Sequence, residues 1–87
     1  MLKAKEAKAL TEKMIKEEIA TRKKEATFFC ENVIEPLIIA QCKNFIGSRI
    51  IIEIADKKII PYVMDILKDC GYQVTRENNT QVISIDW

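Results

Sequence analysis

Three cysteines are the side chains in this sequence best suited to covalent or metal chemistry. Cys30, Cys42 and Cys70 form no C-x-x-C pair, and the chain contains no histidine. A Ser-His-Asp triad, a Cys-His dyad and a His-containing zinc site are therefore excluded. An odd number of cysteines without the spacing of a disulfide framework predicts reduced thiols that are buried in or near the core.

Paired carboxylates are the second group that could carry chemistry, as a metal site or as a general acid and base. Glu17 and Glu18 are adjacent, and Asp65 and Asp69 lie one helical turn apart with Lys68 between them. A charged helical face of this kind is typical of a solvated surface. The spacing therefore indicates an exposed helix side more than a reaction centre.

Glycine-rich loops that bind phosphates are missing from the sequence. Gly47 and Gly71 are the only glycines, and each follows a predicted helix, where glycine commonly ends the helix. We therefore predict no catalytic residues, no cofactor and no metal site, and we expect that the protein is not an enzyme.

The first 25 residues form the most strongly predicted helix. They contain no Gly or Pro and hold eight basic and five acidic residues, a net charge of +3, whereas residues 26–87 carry −2. Apolar positions are sparse in this segment and are limited to a narrow stripe of Leu10, Met14, Ile15 and Ile19. We divide the chain into a basic Lys/Glu-rich helical extension, 1–25, and a single small α+β domain, 26–87.

A second helical pattern with a wider apolar face begins at Ala26. Its apolar line steps by four and three residues, through Ala26, Cys30, Val33, Leu37 and Ala40, and is flanked by Phe29, Ile34, Ile38 and Phe45. Gly47, just beyond Phe45 and Ile46, is the predicted stop. Pro36 lies within it, and proline clashes with the carbonyl group four residues earlier. We therefore expect a kink near Asn32, or a new helix that starts at Pro36.

The remaining residues predict a strand, a helix and a hairpin. Residues 49–54 alternate as a strand, Asp56 caps a helix that is regular from near Ile60 to Gly71, and residues 72–76 and 81–87 flank a turn. The predicted fold is α+β, with a long N-terminal helix kinked near Pro36. A β-α-β-β unit follows, in which a small, mainly antiparallel three-stranded sheet has the last strand in the middle and helices on one face.

The length of the predicted N-terminal helix points to self-association. Residues 3–46 in one helix would span about 65 Å, whereas a compact domain of this size is about 30 Å across. The helix must fold back, protrude or pack against another molecule. We expect a homo-oligomer whose interface includes Leu10, Met14, Ile15 and Ile19, and a function in binding another protein.

Nucleic-acid binding is the alternative function. The extension is basic, but its lysines alternate with five glutamates, so no continuous basic stripe forms. RNA-binding sheets stack bases on aromatic side chains of their exposed face. The predicted outer sheet face has no aromatic residue and consists of Arg49, Ile51, Glu53, Gln73, Thr75, Ser84 and Asp86. The alternative is a binder of nucleic acid or a small nucleotide in a groove between protomers.

Targeting signals are not evident in the sequence. No apolar run approaches the ~18 residues of a membrane span, and the charged N-terminal residues do not resemble a signal peptide. We expect a cytoplasmic protein without a membrane partner.

Three short motifs carry a resemblance to a known class of proteins. Ala4-Lys5-Glu6-Ala7 opens the first helix, Gly71-Tyr72 precedes a strand, and Ile83-Ser84-Ile85-Asp86-Trp87 is the last strand. In these features the chain resembles small accessory proteins of phages and prophages. The resemblance implies a mobile-element origin, the host cytoplasm as location and a host or phage protein as partner, and it implies no catalytic or binding residues.

Overall fold

The predicted α+β class and the order of the elements are confirmed. A computed structural model describes residues 1–44 and 47–87, so Phe45 and Ile46, at the predicted end of the second helix, lie outside the described residues. Helix α1 (Ala4–Phe29) continues through a π-helical turn (Cys30–Ile34) into helix α2 (Glu35–Asn44). Strand β1 (Arg49–Glu53), helix α3 (Ile60–Asp69), strand β2 (Gln73–Arg76) and strand β3 (Val82–Asp86) follow.

The sheet has the strand order β1-β3-β2, and both pairs are antiparallel, as predicted. Ile50 pairs with Ile85 and Ile52 with Ile83 between β1 and β3. Successive side chains of a strand point to opposite faces, so these isoleucines lie on one face and the polar residues on the other. Ile83 and Ile85, in the central strand, are fully buried.

The hydrophobic core lies between this apolar sheet face and the helices. Its buried residues come from every layer: Ala26, Cys30, Ile34, Ile38, Ile54, Ile59, Ile60, Val63, Leu67, Ile83 and Ile85. The β-branched residues suit the strands, and the i, i+3 and i+7 spacing of α3 places one side of that helix in the core. Helices therefore cover one face of the sheet, as the sequence predicts.

The π-helical turn changes which side of the long helix is buried. The predicted centre of the apolar face, the line through Val33, Leu37 and Ala40, is wrong because all three residues are exposed. Ile34 and Ile38, which were predicted to flank that line, are the buried residues. A π-helical turn holds more residues than an α-helical one, so it shifts every later side chain by about one position around the helix axis. The predicted spacing assumed an α-helix throughout.

Pro36 accounts for the position of this turn. Proline has no N–H donor, and its ring would clash with the carbonyl group of Asn32 in a regular α-helix. The N–H of Glu35 instead donates to the carbonyl oxygen of Cys30, five residues earlier. The side-chain amide of Asn32 donates to the carbonyl oxygen of Phe28 at 2.8 Å. The irregularity predicted near Pro36 therefore takes the form of a π-helical turn.

Helix α3 begins and ends at the predicted signals. Asp56 precedes it, and the Asp56 carboxylate accepts the N–H of Lys58 at 2.9 Å. At the C-terminal end Gly71 adopts a φ of +94°, a conformation that side chains disfavour. This allows the N–H of Tyr72 to reach the carbonyl oxygen of Leu67 at 3.1 Å, which closes a Schellman motif.

The overall shape is elongated because the first part of α1 leaves the domain. The molecule measures 63 × 24 × 21 Å and its radius of gyration is 17.0 Å. A compact chain of this length has a radius of gyration of about 12 Å. Of the three arrangements that the helix length allows, the structure shows a helix that protrudes.

Candidate functional site

The protruding half of α1 is a fully exposed helix. Its Ala, Lys, Glu, Leu and Met residues are strong helix formers, and the N–H of Lys3 donates to the Glu6 carboxylate at 3.5 Å at its start. Every residue from position 8 to position 21 is exposed. Within the single chain this segment therefore has little tertiary packing, and its helical structure depends mainly on its own backbone hydrogen bonds.

The four predicted interface residues all lie on this protruding segment. Leu10, Met14, Ile15 and Ile19 are between 37% and 61% exposed. Leu10 and Ile19 are nine residues apart, about two and a half turns of an α-helix, so they point to opposite sides. The narrow stripe expected from the sequence is therefore two apolar pairs, Leu10 with Met14 on one side and Ile15 with Ile19 on the other.

The Ile15–Ile19 pair continues the side of α1 that packs on the domain. It lines a groove of about 260 Å³ together with Tyr62 and Lys58 near the start of α3. Tyr62 is half-buried, so an aromatic ring forms a fixed wall of the groove. The structure adds this tyrosine to the candidate surface. No spacing in the sequence signals it, because it lies on a different element.

Arg22 closes the groove at the point where α1 meets the domain. Its guanidinium contacts Glu25 at 3.1 Å, Asp56 at 3.5 Å and Glu18 at 3.7 Å. Burial alone would lower the pKa of Arg22, but the hydrogen bond to Glu25 and the charges of Asp56 and Glu18 outweigh it and raise the pKa. Arg22 therefore stays charged and holds α1 against the loop before α3.

Phe28 extends the opposite side of α1 and was missed in the sequence interpretation. Its side chain is 67% exposed, more than any of the four predicted interface residues. Phe28 follows Leu10 by 18 residues, about five full turns of an α-helix, so the two side chains share one side of α1. This spacing was a usable signal, because both residues precede the π-helical turn.

The cysteines differ from the prediction at two of three positions. Cys30 is buried as expected, but Cys42 and Cys70 are exposed. Burial, followed by the nearby Cys70 and Glu31, raises the pKa of the Cys30 thiol to about 11. The Cys30 thiol is therefore protonated at neutral pH and is a poor nucleophile. Cys70 is exposed because it is the residue that ends α3, beyond the last core position of that helix.

The outer sheet face is polar, as predicted, and none of the three strands carries an aromatic residue. Arg49 and Asp86 form an ion pair across β1 and β3. Ile51 is the apolar exception, with 65% of its surface exposed. The face therefore offers no platform on which bases could stack.

Metal binding and membrane insertion find no support in the described part of the chain. Within residues 1–44 and 47–87, no cluster of three Cys, Asp or Glu side chains is placed to hold a metal ion. In the same ranges, no helix has the length and apolar character needed to cross a membrane. The chain matches no protein-family model, no curated protein and no solved structure.

Proposed function

We propose that this chain is a non-enzymatic protein that self-associates through its N-terminal helix and acts by binding another protein. The observation that supports this most directly is the protruding half of α1, which exposes an apolar pair on each of two opposite sides. Exposed apolar residues that recur along a helix are the pattern by which helices bind one another or a groove.

The energetics of a lone helix favour an assembly. Short isolated helices are marginal in water, and in proteins most helical stability comes from packing of an apolar side. Fully burying one Leu, Ile or Met side chain contributes about 1.5–3 kcal/mol. Because the two apolar pairs face opposite directions, a single neighbouring helix would cover only one of them. We therefore infer more than one contact, of which one is with a second copy of the chain.

The origin and location belong to the same proposal. The resemblance to phage and prophage accessory proteins supports a host or phage protein as the partner. The three free cysteines support a reducing compartment, the cytoplasm. Nucleic acid or a small nucleotide is the alternative ligand, and the basic charge of the extension is its support.

Light scattering of the full chain, coupled to size-exclusion chromatography, tests the self-association. The wild-type mass should exceed the 10.0 kDa of one chain. The variants Leu10→Gln/Met14→Gln and Ile15→Gln/Ile19→Gln should each lower that mass or weaken the assembly. A control with Lys13→Gln and Lys16→Gln changes exposed polar positions on the side of α1 that carries neither apolar pair, so it should behave as wild type. A wild-type monomer at all concentrations would contradict the proposal.

Capture from a host lysate separates protein binding from nucleic-acid binding. Full-length chain is used as bait, with and without nuclease treatment. A protein retained after nuclease, and lost with the Leu10→Gln/Met14→Gln variant, would support the proposal. Recovery of nucleic acid alone would favour the alternative.

A further inference from the structure

Strand β1 lies at an edge of the sheet and has one side without a strand neighbour. Only every second residue of this strand region forms backbone hydrogen bonds with β3 and its flanking residues. The N–H of Trp87 donates to the carbonyl oxygen of Ser48 at 3.0 Å, and the N–H of Ile54 donates to the carbonyl oxygen of Gln81 at 2.8 Å. In an antiparallel pair this alternation directs the peptide groups of residues 48, 50, 52 and 54 toward β3. The peptide groups of residues 49, 51 and 53 therefore point outward.

A contact of Gln41 agrees with this assignment. The Gln41 side-chain amide donates to the carbonyl oxygen of Arg49 at 3.2 Å, so that carbonyl group is on the outer edge. Gln41 covers only one end of the strand. The N–H and C=O groups of Ile51 and Glu53 remain on the outer edge, and such an edge is a template for pairing with another strand.

The side chains of the same three residues lie together on the outer sheet face. Ile51 is exposed in the middle, Arg49 lies at one end and Glu53 at the other. Arg49 pairs with Asp86, whereas Glu53 lies opposite Val82 and forms no ion pair with any residue of the described ranges. The strand therefore presents a positive end, an apolar centre and a negative end.

We propose that the outer edge of β1 pairs antiparallel with β1 of a second copy, about a twofold axis at Ile51. In this register the sequence Arg-Ile-Ile-Ile-Glu pairs with an identical copy so that opposite charges meet at the ends and isoleucines meet in the middle. Arg49 lies opposite Glu53 of the second copy at both ends, and the two Ile51 side chains meet in the middle. The outward peptide groups of residues 49, 51 and 53 then face one another, which is the condition for hydrogen-bonded antiparallel pairs.

The helix-covered face fits the same register. Ile50 and Ile52 are half-buried in one chain, and the pairing places Ile50 of each copy opposite Ile52 of the other. A groove of about 470 Å³, lined in part by Leu37 and Ala40, runs beside this edge. Burial of these side chains adds apolar area to the backbone hydrogen bonds. The Gln41 amide is displaced from Arg49 by the N–H of Glu53 of the second copy.

This interface is separate from the protruding helix and does not depend on its function. Both contacts are isologous, meaning that each uses the same surface on two copies. The test is therefore made in a full-length background in which Leu10, Met14, Ile15 and Ile19 are all changed to Gln. The helix contact is removed there, so a dimer in this background reports on β1.

Charge reversal gives the sharpest test by light scattering. Glu53→Arg places arginine opposite Arg49 at both ends of the pairing and should raise the dimer Kd about tenfold or more. Arg49→Glu should do the same, with circular dichroism to check the fold because the new carboxylate lies beside Asp86. An equimolar mixture of the two variants should restore the dimer, since each end then joins opposite charges. A background protein that is monomeric, or a mixture no tighter than its components, would overturn the proposal.

A backbone variant tests the hydrogen bonds separately. Ile51→Pro removes an N–H that points away from β3, so the hydrogen bonds to β3 stay in place. Sheets tolerate proline at such outward positions of an edge strand. It should abolish the dimer with the unfolding temperature of the monomer little changed, whereas the control Ile51→Thr should retain the dimer. Equal dimerisation of the proline and threonine variants would show that the β1 edge is not the interface.

Discussion

Arg22 of α1 and Asp56 of the loop before α3 form an ion pair at 3.5 Å. The pair joins the long helix to the domain at the point where the helix begins to protrude. Asp56 has two functions, because one carboxylate oxygen accepts the N–H of Lys58 at 2.9 Å and the other contacts Arg22. The start of α3 and the attachment of α1 therefore depend on the same side chain.

Substitution of Asp56 should separate these two functions. Asp56→Asn keeps an oxygen that can accept the N–H of Lys58 but removes the charge, whereas Asp56→Ala removes both contacts. We expect Asp56→Ala to lower the free energy of unfolding by about 1 kcal/mol through the lost hydrogen bond. Asp56→Asn should lower it less, because Arg22 keeps Glu18 and Glu25 as partners and the half-exposed Asp56 carboxylate makes a weak ion pair. Urea unfolding measures both, and an equal loss in the two variants would assign the stabilisation to the ion pair.

Neighbouring substitutions in the π-helical turn should show which side of the helix is buried. Ile34 is 1% exposed and Val33 is 37% exposed. Ile34→Ala should lower the free energy of unfolding by about 2–5 kcal/mol, the usual cost of a cavity in a core. Val33→Ala should lower it by less than about 1 kcal/mol. A larger loss from Val33→Ala in urea unfolding would favour a regular α-helix with the face that the sequence predicted.

The sheet and α3 could be predicted because their signals are local. Isoleucine alternates with polar residues in β3, and Arg49 and Glu53 at the two ends of β1 mark the outer face of that strand. Asp56 marks the loop before α3, and Gly71 marks the end of that helix. Asn79, with a φ of 59°, lies in the hairpin turn between β2 and β3. These features need no information beyond a few neighbouring residues. The short hairpin places β2 next to β3 for the same reason, whereas the confirmed pairing of β1 with β3 is long-range and follows from the crossing of α3 over the sheet.

The features that could not be predicted depend on helix phase and on packing between distant elements. Pro36 signalled an irregularity, but the sequence did not show that the helix would take up an extra residue, and this exchanged Leu37 for Ile38 in the core. The opposite directions of Leu10 and Ile19 could have been calculated from their spacing. The groove beside Tyr62 could not, because it forms only when α3 packs on α1.

Titration of Cys30 should make the fold less stable in alkali. The pKa of this thiol is raised to about 11 by burial, whereas the ordinary value is 9.0. The folded state therefore holds the proton more tightly, and the resulting stability is complete below pH 9 and is lost as the pH rises toward 11.

The comparison of wild type with Cys30→Ala isolates this effect. Urea unfolding at about pH 8 and about pH 10.5, with a reductant present, measures the loss of stability in each protein. Cys30→Ala should be less stable at both pH values because of the cavity, but its loss between them should be smaller than in wild type. Equal losses in the two proteins would mean that Cys30 does not contribute to the alkaline transition. The rest of the chain is the same in both proteins, so a difference between the two losses reports on Cys30.

Hydrogen exchange along α1 should show whether the protruding segment owes its order to assembly. Residues 8–21 are all exposed in one chain, whereas Ala26 and Ile34 are buried. Amide hydrogens of a lone exposed helix exchange after openings that cost little free energy, whereas those of a core helix need openings that cost up to the free energy of global unfolding.

In the assembled wild type we expect residues 8–21 to be protected. In a full-length variant with Leu10, Met14, Ile15 and Ile19 changed to Gln, their protection should fall at least about tenfold while that of residues 26–38 is unchanged. Equal protection in both proteins would show that the helix is stable without a partner, and its exposure would then give no reason to expect assembly.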